Sequence, residues 1–252
     1  MLCNVMLLNT MPCDTSVRFN TAFEYYKYAE QYFSAHDYVT TITGYTVPSV
    51  GKPQVMYGQR QSWGEEHYFQ NVVLGASTLG KNPSGVIQRF RDDTNMVSYK
   101  SFKLNAPKHR GDVVQVDFGK SNWTICTPEA YRAMWKTSPE RLLPFNISAD
   151  TPSKIFREKN GDVVGTFYIS FPEAADYVGN IKASSNIGVK SGNFTVTIVF
   201  DKDARATKII ENSTYKMSIL TSPSVTAAIT ETIEYKSLPL SRNNASSFVY
   251  KW

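Results

Sequence analysis

Apolar and polar residues alternate along much of this chain, which is the pattern of β-strands with one buried face. Residues 96–104 alternate cleanly, and residues 113–118 form another such segment. In residues 155–171, Asn160-Gly161 supplies the two positive-φ positions of a type I′ hairpin turn, and the residues after it alternate again. Beyond Pro172 the strands are set closer together, and we predict them at residues 194–200, 207–210, 215–220, 225–235 and 248–252.

The first part of the chain is less regular. Residues 1–8 are predicted as a strand, and residues 22–43 as a long strand followed by a second one. Residues 44–84 are dense in Gly and Pro and hold one apolar run, residues 69–74, so they are predicted as long excursions between strands. A hydroxyl N-cap followed by proline occurs at Thr127-Pro128 and at Ser138-Pro139 and predicts a short helical insert over residues 127–143.

Composition supports a strand-dominated protein, because 15 Tyr and 14 Phe among 252 residues favour sheets over helices. We therefore predict an all-β fold. The formal net charge of +5 is concentrated in the middle of the chain, where residues 89–120 carry seven Lys and Arg against four acidic residues. Three cysteines, Cys3, Cys13 and Cys126, cannot all pair within one chain, which favours a reducing compartment. No apolar run approaches the ~20 residues that a membrane-spanning helix needs.

The histidines and cysteines form no catalytic or metal-binding motif. His36, His67 and His109 are far apart in the sequence and lack a ligand spacing such as two histidines at i and i+4. Cys126 with His109 would make a nucleophile and base, but no family signature surrounds either residue. We therefore predict that the protein is not an enzyme.

Acidic pairs occur at two places. Asp201 and Asp203 are weak candidates for a structural calcium ion at a subunit contact, and Asp92-Asp93 is a further pair. Neither pair has the oxygen-rich loop spacing of a dedicated calcium site, and the capping of turns explains both equally well. No other cofactor is predicted.

A stretch of basic and aromatic residues lies between positions 89 and 110. Cations for phosphates and rings for bases are what a sequence-independent contact with a nucleic-acid strand uses. The other interpretation is a strand with one solvated, charged face, and Asp92 and Asp93 dilute the positive field. The candidate nucleic-acid-binding residues are Arg89, Arg91, Lys100, Lys103, Lys108 and Arg110.

The order and texture of three segments resemble the jelly-roll capsid proteins of small viruses, in particular those of circular, Rep-encoding single-stranded DNA viruses. The segments are Phe23-Glu24-Tyr25-Tyr26-Lys27-Tyr28, Tyr99-Lys100-Ser101-Phe102-Lys103 with Pro107-Lys108, and Gly165-Thr166-Phe167-Tyr168-Ile169-Ser170-Phe171. The resemblance implies an eight-stranded jelly-roll shell domain over residues 1–172 with long loops. Residues 173–252 lie outside it and are predicted as a C-terminal β extension or projection.

The function that this resemblance implies is self-assembly into an icosahedral capsid that encloses a genome, made in the host cell and located in the virion. Its partners would be copies of itself and packaged nucleic acid, without a membrane span. Many members of the family begin with an Arg-rich arm, whereas residues 1–88 here are slightly acidic. The alternative is a secreted β-pore-forming toxin or lectin-like binding module. Ser/Thr-rich residues 212–235 would suit an inserting hairpin, and secretion would use the sequons at Asn122, Asn146, Asn193, Asn212 and Asn244.

Overall fold

The computed structural model describes residues 18–51, 53–63, 66–75, 85–91, 97–103, 113–117, 124–127, 129–130, 133, 141–185, 187–236 and 247–251. The first seven strands are β1 (Tyr38–Pro48), β2 (Gln54–Trp63), β3 (Glu66–Gly75), β4 (Gly85–Arg91), β5 (Val97–Lys103), β6 (Val113–Asp117) and β7 (Thr124–Cys126). The others are β8 (Ser153–Arg157), β9 (Val163–Ile169), β10 (Val189–Phe200), β11 (Ala206–Met217), β12 (Ser224–Glu234) and β13 (Ser247–Lys251). Helix α1 spans Ala22–Ala35 and helix α2 spans Ala175–Ser185.

Eleven of the described strands form one antiparallel sheet, in the order β7-β5-β4-β3-β2-β1-β12-β11-β10-β9-β8. The other two, β13 and β6, pair in a separate two-stranded ladder.

Helix α1 corrects the first of the two strands predicted over residues 22–43, whereas the second, over residues 38–43, is confirmed by β1. Its N-terminus is a capping box, in which the Thr21 hydroxyl accepts from the Glu24 amide at 3.2 Å and the Glu24 carboxylate accepts from the Thr21 amide at 3.0 Å. Its buried residues recur at helical spacing, and they are Ala22, Tyr25, Tyr26, Ala29 and Phe33. The bulky aromatic composition resembled a strand, but the spacing of the buried positions is that of a helix.

Strand alternation divides the sheet into two faces, and α1 lies on the face that we call the inner face. In β9 the inner residues Val163, Phe167 and Ile169 are buried. The α1 rings meet this face, since the Tyr26 and Phe167 ring centroids are 5.9 Å apart. A Cβ atom at Gly165 would lie 3.2 Å from the Ala22 Cβ, so the glycine lets the helix approach the sheet closely. The core therefore lies between α1 and strands β8 to β11, with α2 packed on β10.

The hairpin predicted near residue 160 is confirmed, but its turn is of another type. β8 and β9 pair with Arg157 opposite Val163, and the Gly161 amide donates to the Glu158 carbonyl at 3.1 Å. Gly161 has a φ of 93° whereas Asn160 has no positive φ. The loop is therefore a β-turn over residues 158–161 whose last residue is the positive-φ glycine, and it is not the two-residue type I′ turn.

Several other strand predictions are confirmed, and one region is corrected. Strands β5, β6, β10, β12 and β13 lie where alternation placed them. The two strands predicted at residues 207–210 and 215–220 are one strand, β11, which ends at Met217. The prediction of excursions was wrong for residues 44–63, because β1 continues to Pro48 and β2 follows it. The apolar run at residues 69–74 lies in β3, and residues 76–84 lie outside the described residues. At the start of the predicted helical insert the Thr127 hydroxyl accepts from the Ala130 amide at 3.2 Å, as an N-cap does. The second predicted cap, Ser138-Pro139, lies outside the described residues. Residues 1–8 lie outside the described residues.

The all-β class fits the sheet, whereas the eight-stranded jelly roll is not confirmed. A jelly roll is a pair of facing sheets connected as Greek keys. Here β1 to β5 are neighbours in chain order, β8 to β12 are neighbours in chain order, and β1 joins the two series by pairing with β12. Strands from both sides of residue 172 therefore share one sheet. Helices α1 and α2 are additions that the sequence interpretation did not contain.

Candidate ligand site on the inner face

The predicted nucleic-acid residues fall on two paired strands, as far as they are described. Arg89 and Arg91 lie in β4, and Lys100 and Lys103 lie in β5. The register sets Arg89 opposite Tyr99 and Lys100 opposite Gln88. The sheet therefore brings these four basic positions onto neighbouring strands. Lys108 and Arg110 lie outside the described residues.

The Asp201/Asp203 pair forms part of a turn. The Asp201 carboxylate accepts from the amides of Asp203 and Arg205 at 3.0 and 2.9 Å, and both carboxylates contact the Arg205 guanidinium, at 2.7 and 3.1 Å. Turn capping with an arginine counter-ion accounts for the pair. Within the part of the chain that the structure describes, no three His, Cys, Asp or Glu side chains cluster as metal ligands.

The other candidate residues do not meet in the described structure. His36 stacks on Tyr32, with ring centroids 3.7 Å apart, and its Nδ1 lies 2.8 Å from the Tyr32 carbonyl oxygen. His67 lies in β3. Burial raises the pKa of the Cys126 thiol above its ordinary value. Its proposed partner His109, like Cys3, Cys13 and Asp92-Asp93, lies outside the described residues.

A different site emerges on the inner face, where β12, β1 and β2 run side by side. Its inner positions are half-buried rather than buried, and several carry small or no side chains. The register aligns Ile229 with Gly44 and Gly44 with Met56, and it aligns Ile42 with Gly58. We call these five residues the inner strip: Ile42, Gly44, Met56, Gly58 and Ile229. Apolar side chains that keep part of their surface accessible beside backbone without Cβ atoms form a shallow floor for a ligand.

Glu211 borders the inner strip on the β11 side. It lies opposite Ile229 in the register and is buried, with 8% of its surface exposed. Burial raises the pKa of its carboxyl to about 7, while hydrogen bonds from the Tyr177 and Ser213 hydroxyls act in the opposite direction. The Ser213 Oγ donates to Glu211 Oε1 at 3.1 Å. Among the described residues no cation pairs with this carboxyl to lower its pKa. The carboxyl is therefore protonated at pH values below about 7.

The Tyr177 ring, whose hydroxyl is hydrogen-bonded to Glu211, packs in a cluster of aromatic rings. Tyr177 of α2 stacks on Phe145 at 4.8 Å between centroids and meets Phe194 edge-on at 5.4 Å. Phe194 in turn stacks with Tyr215 at 6.4 Å. Burial raises the pKa of Tyr177 well above its ordinary value and that of Tyr215 to about 12, so both hydroxyls stay neutral. Apart from these two hydroxyls, the side chains of this aromatic cluster are apolar.

A buried ion pair borders the inner strip on its other side. Glu231 lies opposite Ile42, and its two carboxylate oxygens accept from Arg60 Nε and Nη2 at 2.7 and 2.6 Å. Arg60 also donates to the carbonyls of Arg141 and Leu142, at 2.6 and 3.2 Å. The guanidinium thus joins β2, β12 and the segment before β8, while the Phe33 ring centroid lies 5.1 Å from its Cζ.

Sequence interpretation missed both borders of the strip. Glu211 lies on the same face of β11 as Ile209, Ser213 and Tyr215, two residues apart along the strand. This spacing alone indicates a carboxyl on a buried face. Arg60 and Glu231 are 171 residues apart, and no local pattern connects them. Only the position of β1 between β2 and β12 brings them together.

No family model matches this chain, and no curated protein matches it. Among solved structures it is similar to a LolA superfamily protein, NE2245 from Nitrosomonas europaea, at 8% identity and a TM-score of 0.31, over 88% of this chain and 96% of that one. It is also similar to the ywiB protein from Bacillus subtilis at 10% identity and a TM-score of 0.19, over 80% and 93% of the two chains. At these scores no argument about fold or function rests on either protein. No described helix is long and apolar enough to cross a bilayer.

Proposed function

We propose that this protein is a non-catalytic binding protein whose ligand lies on the inner strip. The observation that carries the proposal is the half-buried apolar floor beside a buried carboxyl that has no cationic partner among the described residues. Ligand sites combine an apolar surface with a few well-placed polar groups, and this arrangement has that composition. The charged groups around it, Arg60 and Glu231, are already bound to each other, and Arg60 also donates to two backbone carbonyls.

The chemistry of Glu211 indicates the class of ligand. Two hydroxyls already donate to its carboxyl, so when protonated it has its own O–H to donate. An apolar molecule that carries one hydrogen-bond acceptor, such as an ester or ketone oxygen, complements this group and the floor. A charged ligand would need a counter-ion, and the described surroundings of Glu211 supply none.

Replacement of Ile229 by Gln should weaken the binding of a neutral apolar probe, N-phenyl-1-naphthylamine, by about tenfold, because the floor loses an apolar side chain. Fluorescence titration measures the dissociation constant. Tyr45→Gln is the matched control, because Tyr45 lies on the neighbouring strand with 52% of its surface exposed on the opposite face. Equal affinities in the two variants, or no probe binding by a folded wild-type protein, would contradict the proposal.

Self-assembly into a capsid is the second candidate function, and one feature favours association between copies. β8 is the last strand of the sheet, all five of its residues are exposed, and 66% of the Phe156 surface is accessible. An edge strand with an exposed aromatic residue is a template for pairing with another chain. The nucleic-acid residues of β4 and β5 would then contact the packaged genome.

Negative-stain microscopy of the purified protein tests this second candidate. Uniform closed shells are expected if it is a capsid protein, and Phe156→Glu should reduce their yield severalfold because it places a charge at the edge. Tyr45→Glu, on an internal strand, should leave assembly intact. A monodisperse monomer at every concentration, in wild type and both variants, would remove the capsid from consideration.

A further inference from the structure

One end of the sheet carries two connections that are bonded to each other. The Ser49 amide after β1 donates to the Ser224 carbonyl at 2.7 Å, and the Ser224 amide donates to Ser49 Oγ at 3.0 Å. The Ser218 amide donates to the Gly188 carbonyl at 2.8 Å, which ties the segment before β10 to the same place. We call residues 49–51 and 218–223 the loop tip. These hydrogen bonds fix the conformation of the loop tip.

The loop tip presents apolar side chains to solvent. Leu220 is fully exposed and Val50 is 55% exposed. Leu220 lies within a turn in which the Ser222 amide donates to the Ile219 carbonyl at 2.8 Å, with Ser222 at a φ of 40°. Turns favour Gly, Asn, Asp and Ser, so a leucine held outward by a closed turn gains nothing in the isolated molecule. Its apolar surface is available to a partner.

The charge around the loop tip has one sign. The parts of β1, β2, β10, β11 and β12 nearest the loop tip lie within residues 42–63, 187–200 and 212–230, which contain no Asp or Glu. Lys190 donates to Ser222 Oγ at 2.9 Å, and Lys216 lies opposite Ser224 in the register. The opposite end of the same strands carries both signs of charge, with Asp201 and Asp203 beside Lys202 and Arg205. In the segments that form the loop tip, cations and apolar side chains therefore occur together without carboxylates.

We infer that the loop tip docks on an anionic lipid surface, with Leu220 and Val50 in the interface and Lys190 and Lys216 near the headgroups. Exposed apolar side chains flanked by lysines, without carboxylates, combine the two contributions that hold proteins on anionic membranes. A protein partner would need a complementary groove, and two small loops offer it little area. β11 and β12 stay in the sheet throughout, so docking differs from the insertion of residues 212–235 that a pore-forming toxin would require.

Vesicle sedimentation tests this inference with the full chain. Wild type should bind vesicles of equimolar phosphatidylcholine and phosphatidylglycerol at low salt and bind pure phosphatidylcholine about tenfold less. Leu220→Ser should weaken binding to the anionic vesicles by about tenfold, and the pair Lys190→Gln and Lys216→Gln by a similar factor. Phe156→Ser is the matched control, because it removes an exposed apolar side chain from β8, away from the loop tip, and should bind as wild type does.

Three outcomes would overturn the inference. One is equal binding to both kinds of vesicle, and another is Leu220→Ser binding as tightly as Phe156→Ser. The third is the absence of vesicle binding together with self-association that Leu220→Ser abolishes, which would assign the loop tip to a second copy of this chain. Probe affinity on the inner strip should be unchanged in all these variants, so the result is independent of the proposed function.

Discussion

Glu211→Gln should remove a loss of stability that the wild-type protein undergoes as the pH rises from about 5 to about 7. Burial raises the pKa of the Glu211 carboxyl from its ordinary value of 4.5 to about 7 in the folded protein. Between these two values the folded state binds more protons than the unfolded state, so the free energy of unfolding falls as the pH rises. The shift corresponds to roughly 3 kcal/mol, fully developed above pH 7 and absent below the unfolded pKa.

The measurement is urea denaturation of both proteins across this pH range. Wild type and variant should have similar midpoints at the acidic end, because a protonated carboxyl and an amide are both neutral, and the variant should be the more stable protein at pH 8. Tyr177 and Tyr215, the other titratable groups facing Glu211, keep their protons throughout because burial raises their pKa values. Glu234→Gln, an exposed change on β12, controls for the loss of a charge. Parallel stability profiles for wild type and Glu211→Gln would show that the carboxyl ionises freely in the fold.

The same titration bears on ligand binding. If a protonated Glu211 donates to the ligand, the affinity of an acceptor-bearing ligand should be constant below a pH of about 7 and fall above it, where the loss of stability has levelled off. A ligand without an acceptor should show a smaller dependence. The two pH ranges therefore distinguish the effect of Glu211 on binding from its effect on stability.

The parts of the fold that could be predicted are those where one sheet face is buried and the other is not. β9 and residues 194–200 of β10 alternate strictly because their inner face packs against the helices, and the positions of both followed from the sequence. β12 was also placed correctly, whereas β11 was predicted as two strands. The segment of α1 was predicted as a strand because it contains many Tyr and Phe residues. The spacing of Thr21 and Glu24, however, is that of a capping box and indicates the start of a helix. The capping-box spacing was a better guide to the secondary structure of this segment than its aromatic composition.

Glycines explain the other large error. Gly44, Gly58 and Gly75 were read as breaks between strands, yet all three lie within strands β1, β2 and β3. At Gly44 a Cβ atom would lie 2.8 Å from the Ala228 carbonyl oxygen, so the glycine permits a close approach of β1 to β12. A glycine needed for close approach cannot be told from a turn glycine without its neighbouring strand. The inner strip was invisible in the sequence for the same reason.

Arg60→Met should lower the free energy of unfolding by about 3 to 5 kcal/mol, because it leaves the Glu231 carboxylate buried without its counter-ion. Arg60 is 7% and Glu231 9% exposed, so water cannot replace the lost partner cheaply. The carbonyls of Arg141 and Leu142 also lose their donor. Urea denaturation at neutral pH measures the effect.

Two further variants decide how the pair acts. Lys27→Met breaks the exposed Lys27–Glu30 pair on α1 and should lower the free energy of unfolding by less than about 0.5 kcal/mol. The comparison shows whether the effect of Arg60→Met comes from the burial of its ion pair or from the loss of a charge. The double variant Arg60→Met and Glu231→Leu should recover much of the lost stability, since an apolar pair of similar volume needs no counter-ion. Recovery would show that the penalty comes from the orphaned carboxylate. If the double variant is as unstable as Arg60→Met, then the bonds from Arg60 to the Arg141 and Leu142 carbonyls are what hold this border of the inner strip together.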